Sequence, residues 1–387
     1  MSEVRVNNLS NENNTGGPTI SGITTYSGRH FFVPPQGDTA SRPSDCEPGS
    51  LRFNTDSAKL EYFRGNTIGW TEIEAELTAP LGGGTGSNTG LGTRMIFMGG
   101  TDGSGVVDVI QFVTISTLGN AQDFGNLTAA KQEGAAATNH LRGLYFGGDP
   151  SLNIIEFVTF ASLGNATDFG DLLNGAKSGT SMSDRTRGVL QLGGSTSNIL
   201  EYVTFAQTGN AVNFGDMLTG GSAGSGFSSS TRGVYAIGAN NANYKNIIEF
   251  ITISTTGNGT DFGDLSGLYV HRNAYSNATR GVFHSGYQYP TSPNFSNNIE
   301  FVTIATTGNT IDFGDSLLGG FGCGGSSPTR GVAGGGYYQN APTGETGGFT
   351  NIIDFIEIAT TGNAVDFGDT TNVVRHIKGG SNGHGGL

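Results

Sequence analysis

The sequence predicts an all-β protein whose larger part, residues 93–387, is a six-bladed β-propeller. Three observations carry this prediction: one segment recurs six times, its apolar runs are too short for helices, and glycine occupies 66 of 387 residues. Only 13% of the residues are charged, which disfavours both long helices and a charge-stabilised disordered chain. Short strands joined by many turns fit this composition better.

The repeated unit carries two markers. The first is a segment such as NIIEFVTFASLGNATDFGD, from Asn153 to Asp171, and the second is an upstream pair such as Thr186-Arg187. The phenylalanines of the first marker are Phe124, Phe169, Phe214, Phe262, Phe313 and Phe367. Their separation of 45 to 54 residues lies within the range of four-stranded propeller blades.

Each unit divides into four predicted strands. Strand one is RGVLQLGG, strand two is NILEYVTFA, strand three is AVNFGD after a Gly-Asn turn, and a weaker glycine-rich fourth strand precedes the next Thr-Arg. The C-terminal VVRHIKGGSNGHGGL occupies the place of a fourth strand. The units are therefore whole and can close into a ring without exposed edges. An open β-solenoid is the alternative, although its usual coil is shorter.

Paired glycines follow strand one in several units: Gly99-Gly100, Gly147-Gly148, Gly193-Gly194 and Gly334-Gly335-Gly336. These pairs resemble the double glycine of kelch-type blades. The blade tryptophan of kelch proteins is missing, because the single tryptophan, Trp70, precedes the repeats. The resemblance to kelch is thus one of architecture. The expected fold is an all-β, six-bladed kelch-like β-propeller preceded by a small N-terminal β module.

The N-terminal region does not repeat. We predict a flexible arm over 1–20, a small β attachment module over 21–74 and a Gly/Ser/Thr-rich linker over 75–92. Within the module, Leu51–Asn54 and Leu60–Phe63 alternate around a Thr-Asp-Ser turn, a pattern typical of a hairpin.

The string GSLRFNTDSAKLEYFRGNTIGWTEI resembles short attachment modules near the ends of tailed-bacteriophage structural proteins. The repeats, with TRGV and GNAxDFGDL patterns, resemble virion proteins of marine tailed phages. The resemblance implies a non-enzymatic virion structural protein made in the host cytoplasm. It would be a tail fibre or tail-tip protein that attaches to other virion proteins through its N-terminal module, as a homo-oligomer, and uses the propeller for host-surface adhesion or subunit contact. A capsid decoration or knob protein is the alternative.

Several function classes are disfavoured. A net charge of -13 argues against a nucleic-acid partner, because phosphate binding needs clustered Lys and Arg. The N-terminus lacks the features of a signal peptide, and no apolar run is long enough for membrane insertion. Cys46 and Cys323 cannot build a disulfide framework, and the six histidines lack metal-ligand spacing. We expect no cofactor, no metal and no catalytic residues; a propeller enzyme acting on carbohydrate is the less favoured class.

The repeated Asp-Phe-Gly-Asp segments place two carboxylates three residues apart, at Asp168–Asp171, Asp261–Asp264, Asp312–Asp315 and Asp366–Asp369. Such oxygens could chelate calcium. Because the motif recurs and tolerates Asn126 and Asn213, we favour a turn in which the Asp oxygens accept backbone N–H bonds.

An arginine begins every strand one, and a carboxylate recurs in strand two, with Gln111 in the first copy. We predict a structural ladder of Arg–carboxylate bridges within or between blades. The arginines are Arg94, Arg142, Arg187, Arg232, Arg280 and Arg330. The carboxylates are Glu156, Glu201, Glu249, Glu300 and Asp354.

The loop between strands one and two varies most in length, and it is rich in aromatic residues where it is long. Exposed aromatics beside Asn and Gln suit contact with a host glycan or protein, so we predict one binding face; packing within the loops is the alternative. The candidate residues are Tyr244, Tyr287, Tyr289, Phe295, Tyr337, Tyr338 and Phe349.

Overall fold

The computed structural model describes residues 34–57, 59–72, 93–194, 197–241, 243–290, 294–338 and 348–387. Its contacts divide the chain into two units, Met1–Ala75 and Glu76–Leu387. All regular structure in the described residues is β, which confirms the predicted class. Among these residues there is no helix with the length and hydropathy that crossing a bilayer requires. The predicted arm and linker lie outside the described residues.

The first unit contains one small sheet. Its strands, in sheet order, are β1 (Gln36–Gly37), β2 (Leu51–Asn54), β3 (Lys59–Phe63) and β4 (Trp70–Glu72). The predicted hairpin is confirmed, because β2 and β3 pair antiparallel. Glu61 is fully buried, and its carboxylate lies 2.6 Å from the Arg42 guanidinium and 3.5 Å from that of Arg52. Asn54 Nδ2 also donates to Glu61, so the buried charge is paired and hydrogen-bonded.

The second unit repeats the four predicted strands six times. Strand one, which begins at the marker arginine, is β5 (Arg94–Met98), β9 (Arg142–Phe146), β13 (Arg187–Gln191), β17 (Arg232–Ala236), β24 (Arg280–Tyr289) and β29 (Arg330–Gly334). Strand two is β6 (Val109–Thr114), β10 (Leu152–Thr159), β14 (Ile199–Thr204), β20 (Ile247–Thr252), β25 (Phe295–Thr303) and β31 (Ile352–Glu357). Strand three is β7 (Gln122–Asn126), β11 (Thr167–Ala176), β15 (Val212–Asp216), β21 (Thr260–Asp264), β26 (Ile311–Asp315) and β32 (Val365–Asp369).

The predicted fourth strand is short and pairs with strand one of the following unit, so we call it the inner strand. The inner strands are β8 (Ala135–Thr138), β12 (Thr180–Ser183), β16 (Ser225–Ser228), β23 (Asn273–Ser276), β28 (Cys323–Ser326) and β33 (Lys378–Ser381). Short extra strands occur in the longer connections: β18 (Ala239–Asn240), β19 (Asn243–Tyr244), β22 (Leu268–Val270), β27 (Leu318–Gly320) and β30 (Tyr337–Tyr338).

Each main sheet runs from an inner strand through strands one and two to strand three. Sheet 1 has the order β33-β5-β6-β7, and sheets 2 and 3 have the orders β8-β9-β10-β11 and β12-β13-β14-β15. Sheets 4, 5 and 6 have the orders β16-β17-β20-β21, β23-β24-β25-β26 and β28-β29-β31-β32, with β22 also paired to β24. The C-terminal β33 therefore pairs with β5, as predicted from its place in the repeat.

The hydrophobic core consists of separate clusters, each between two sheets. The cluster between sheets 2 and 3, for example, joins Leu144 and Phe146 to Leu190 and Phe205. Corresponding clusters lie between sheets 1 and 2, 3 and 4, 4 and 5, 5 and 6, and 6 and 1. The inner strands contact one another in the order β8, β12, β16, β23, β28, β33 and back to β8. Every main sheet thus packs against two others.

The Asp-Phe-Gly-Asp segments form strand three, so the prediction that they are turns is wrong. Their phenylalanines are buried and pack edge-on against a strand-two aromatic, as Phe169 does against Phe157 at 5.8 Å. The pairing with strand two shifts register at this point in every sheet, which is typical of a β-bulge. In sheet 2 the bulge glycine, Gly170, has φ of 149° and faces the backbone of sheet 3.

Candidate functional site

The strand-one arginines connect neighbouring sheets through backbone carbonyls. Arg187 Nη1 in sheet 3 donates to the carbonyls of Ile253 and Ser254 in sheet 4, at 3.1 and 2.8 Å. Its guanidinium also lies over the Tyr202 ring, 4.8 Å from the centroid. The other five arginines make the same two kinds of contact, and Arg330 of sheet 6 reaches the Ile115 carbonyl of sheet 1.

The strand-two carboxylates also connect sheets, but through a different partner. Each accepts an N–H from the residue two positions after the Asp-Phe-Gly-Asp segment, or its Asn-containing variant, of the preceding sheet; Glu249, for example, accepts from Leu218 at 2.9 Å. The equivalent acceptors are Gln111, Glu156, Glu201, Glu300 and Asp354. Within the described residues no ion pair joins a strand-one arginine to one of these carboxylates. The predicted Arg–carboxylate pairing is therefore wrong, because the two groups bind backbone on opposite neighbours.

A circle of hydroxyl groups links the inner strands. The residue four positions before the marker arginine is Ser or Thr in the second to sixth units, and Ser381 supplies the sixth hydroxyl from the C-terminal strand. Ser326 Oγ donates to the Ser276 carbonyl at 2.7 Å, Ser381 Oγ to the Ser326 carbonyl at 2.6 Å, and Thr138 Oγ1 to the Ser381 carbonyl at 2.8 Å. The remaining links pass through Ser183 and Ser228. Together these hydrogen bonds form a closed circle through the six hydroxyl residues.

A second circle lies just before the inner strands, at the residue five positions before each member of the hydroxyl circle. Each of these residues donates its backbone N–H to the carbonyl of the equivalent residue in the preceding sheet, over 2.6 to 3.2 Å. Each also has a positive φ, between 50° and 66°. The six are Glu133, Ser178, Ala223, His271, Phe321 and His376. We call them the mouth residues.

The mouth residues differ chemically, and three of them form a hydrogen-bonded group. His376 Nδ1 lies 2.9 Å from Glu133 Oε1, and Ser178 Oγ donates to Glu133 Oε2 at 2.8 Å. The Lys177 ammonium is 3.7 Å from the same carboxylate. The hydrogen bond from His376 holds the pKa of Glu133 well below its usual range, whereas burial lowers the pKa of His376. The carboxylate is thus charged and the neighbouring imidazole neutral at pH 7.

The order of these three groups determines what they can do chemically. Glu133 lies between Ser178 and His376, so the serine hydroxyl bonds to a carboxylate with a low pKa instead of to a histidine base. An activated nucleophile needs a base of suitable pKa at its hydroxyl. His271 stacks on Phe321 at 4.1 Å, and burial lowers its pKa well below the usual value. The arrangement suits binding better than nucleophilic catalysis.

Sequence reasoning missed the mouth residues because they do not repeat. The available signal was the constant position of five of them, nine residues before the second to sixth marker arginines, where the aligned units show Glu, Ser, Ala, His and Phe. When one position of an otherwise uniform repeat varies in polarity, packing of the core does not determine which residue stands there.

Most of the predicted binding aromatics pack against one another. Phe295 and Tyr337 are buried and stack at 4.3 Å. Tyr287 and Phe349 pack edge-on against this pair, at 5.6 Å from Phe295 and 5.3 Å from Tyr337. Phe321 of the mouth joins the same cluster. These four loop aromatics therefore have a packing role, which the sequence analysis held as the alternative.

The other three predicted aromatics are accessible. Tyr244 stacks on Tyr289 with ring centroids 4.4 Å apart and an angle of 17° between the planes. Tyr289 is 46% exposed and Tyr338 is 41% exposed. Tyr244 belongs to the hairpin after β17 and Tyr289 to the end of β24, so the pair joins the connections of sheets 4 and 5. Their role in binding stays a prediction.

No group of three or more His, Cys, Asp or Glu side chains in the described ranges is arranged to hold a metal ion. The first Asp of each Asp-Phe-Gly-Asp segment is solvent-exposed on strand three. Comparison with known proteins adds no identification: no protein-family model matches the chain, and no curated protein shows significant similarity to it.

Proposed function

We propose that the chain is a non-enzymatic structural protein of a tailed-phage particle and that its second unit is a closed six-bladed kelch-like β-propeller. The observation that supports a closed propeller is the set of contacts that join sheet 6 to sheet 1. Arg330 reaches the Ile115 carbonyl, Gln111 accepts the Thr371 N–H, and β33 pairs with β5. Closure of this kind removes the exposed edges of an open sheet array.

The virion role rests on the resemblance of residues 49–73 to phage attachment modules and on the architecture of the repeats. All six sheets use one set of inter-sheet contacts, which suits a rigid scaffold that displays variable loops. The variable loops all connect strands one and two, so they share one end of the sheets. The first unit would attach the protein to other virion proteins, and the loop end would contact the host surface or a neighbouring subunit. Tail placement is the first choice, and a head decoration is the alternative.

The stacked pair Tyr244–Tyr289 and the exposed Tyr338 are the proposed contact groups. Rigid aromatic rings bind sugars or protein surfaces at low cost in side-chain entropy. Changing both Tyr244 and Tyr289 to Ala should weaken adhesion of the purified protein to host cells about tenfold, equivalent to about 1.4 kcal/mol. The matched control is Leu163→Ala, which removes an apolar side chain 58% exposed at the opposite end of the sheets. Equal adhesion of both variants and wild type would contradict the role of the pair.

The particle itself provides the direct test. Cryo-electron microscopy of the intact phage should place the chain in density at the tail periphery, with the strand-one-to-strand-two loops outward. Density on the head lattice would instead identify a decoration protein, and a particle without the chain would refute the virion role.

A carbohydrate-acting propeller enzyme is the second candidate, because Glu133, Ser178 and His376 bring unlike polar groups together at the mouth. Incubation of the protein with host polysaccharide, followed by chromatography of the products, tests it. Product formation by wild type that Glu133→Gln abolishes would favour the enzyme; unchanged polysaccharide with both proteins would favour the binding role.

A further inference from the structure

We infer that the cavity between the inner strands is a binding site for one small anion, held by Lys378. The cavity has a volume of about 80 Å³ and is lined by residues of all six inner strands or the residues just before them. Its wall includes the second residue of each inner strand, and these are all small: Ala136, Ser181, Gly226, Ala274, Gly324 and Gly379. Small side chains leave room for a ligand of a few atoms.

The first residue of each inner strand also lines the cavity, and it is polar in most of the strands. Five of the six equivalent residues are uncharged: Ala135, Thr180, Ser225, Asn273 and Cys323. The sixth is Lys378, the one basic residue at this position of the inner strands. In the described part of the chain the Lys378 side chain has no hydrogen-bond or ion-pair partner. A cation with restricted access to water is unfavourable unless an opposite charge compensates it.

Neighbouring carboxylates are already engaged. Glu300 accepts from Arg272, Ser266 and Thr310, and Glu133 accepts from His376 and Ser178. Arg272 also lines the cavity; its Nη atoms are bonded, but its Nε is buried without a partner. The side chain of Arg272 is only 1% exposed. The wall therefore carries more positive than negative charge, with a buried cationic donor still unpaired.

These groups define the chemistry of the ligand. A halide or a compact oxyanion would accept hydrogen bonds from the Lys378 ammonium and from the hydroxyls of Thr180 and Ser225. Asn273 is 1% exposed and its Oδ1 has no hydrogen-bond partner, which suits a bound water beside the anion. A cavity volume of about 80 Å³ suits an anion of a few atoms.

Bromide is the probe that tests this site. Crystals of the full chain, soaked in sodium bromide and measured at the bromine absorption edge, should show an anomalous peak in the cavity beside Lys378 Nζ. Lys378→Met should abolish this peak. Lys177→Met, which removes a lysine whose side chain is 40% exposed at the mouth, should retain it. Bromide on the protein surface with none in the wild-type cavity would overturn the inference.

A measurement in solution separates a selective site from an adventitious ion only. At constant ionic strength, replacing the larger anion gluconate with bromide should raise the melting temperature of wild type in proportion to the logarithm of the bromide concentration. Lys378→Met should show no such rise, while Lys177→Met should follow wild type. A cavity peak without any rise in the wild-type melting temperature would mean an adventitious ion only and would overturn the inference. None of these outcomes depends on the proposed virion role.

Discussion

Replacing the bulge glycine of strand three tests how the sheets are held together. Gly170 has φ of 149°, and a Cβ there would lie 2.4 Å from the Gly209 carbonyl oxygen of sheet 3. Two inter-sheet hydrogen bonds surround this point: Gly209 N–H donates to the Phe169 carbonyl at 2.7 Å, and Asp171 N–H donates to Asn210 Oδ1 at 3.0 Å. Gly170→Ala therefore forces the two sheets apart at a place where their backbones touch.

The magnitude has two parts. Backbone strain at this φ costs about 1–3 kcal/mol for a residue with a Cβ. Weakening both inter-sheet bonds adds about 1 kcal/mol each. We expect Gly170→Ala to lower the free energy of unfolding by about 3–5 kcal/mol. Urea denaturation of the full chain, followed by circular dichroism, measures this loss.

Gly164 offers a matched control in the same sheet. Its φ is 152°, but a Cβ there would meet no atom within 4 Å. Gly164→Ala should therefore show the strain alone, about 1–3 kcal/mol. Equal losses for Gly164→Ala and Gly170→Ala would refute the reasoning, because the close approach of the sheets would then contribute nothing.

Three further changes test individual contacts. Arg187→Ala should lower the free energy of unfolding by about 2 kcal/mol, because it removes a charged donor to two carbonyls and a cation–π contact; an unchanged urea midpoint would contradict this. Ser326→Ala should cost about 1 kcal/mol, since it removes one buried hydrogen bond of the hydroxyl circle while the Ser276 carbonyl keeps the Gly385 N–H, and a neutral effect would count against the circle. Burial raises the pKa of Glu249 above its unfolded value of about 4.3, so the stability that its protonation provides is present below that value and is lost as pH rises through the folded pKa. The stability of wild type relative to Glu249→Gln should therefore increase as pH falls from 7 to about 4, and a constant difference over that range would be inconsistent with the raised pKa.

Repetition made much of the fold predictable. Arginine at the start of strand one, the Gly-Asn turn and the buried phenylalanine of strand three recur in every unit, so their strands could be placed by comparing the units. The repeated phenylalanines are also buried to the same extent in different units; Phe169 and Phe214, for example, are both 2% exposed. The pairing of the C-terminal strand with the first unit followed from the count of strands.

The partners of the repeated charges were not predictable in the same way. Arg187 and Glu201 lie on adjacent strands of one sheet, and opposite charge alone suggested a bridge. In the structure Arg187 donates to carbonyls of sheet 4, while Glu201 accepts the N–H of Leu173 in strand three of sheet 2. Sequence spacing contains no information on which backbone groups of a neighbouring sheet lack a partner.

By itself, the sequence determined the all-β class, the strands of each unit and the hairpin of the first unit, because alternation and repetition are properties of the chain alone. Only the tertiary structure decided the mouth and the cavity, since both combine single residues from units about 50 positions apart. Glu133 and His376 are separated by most of the chain, yet their side chains lie 2.9 Å apart. That contact depends on the way successive sheets bring equivalent backbone positions together, which no local pattern encodes.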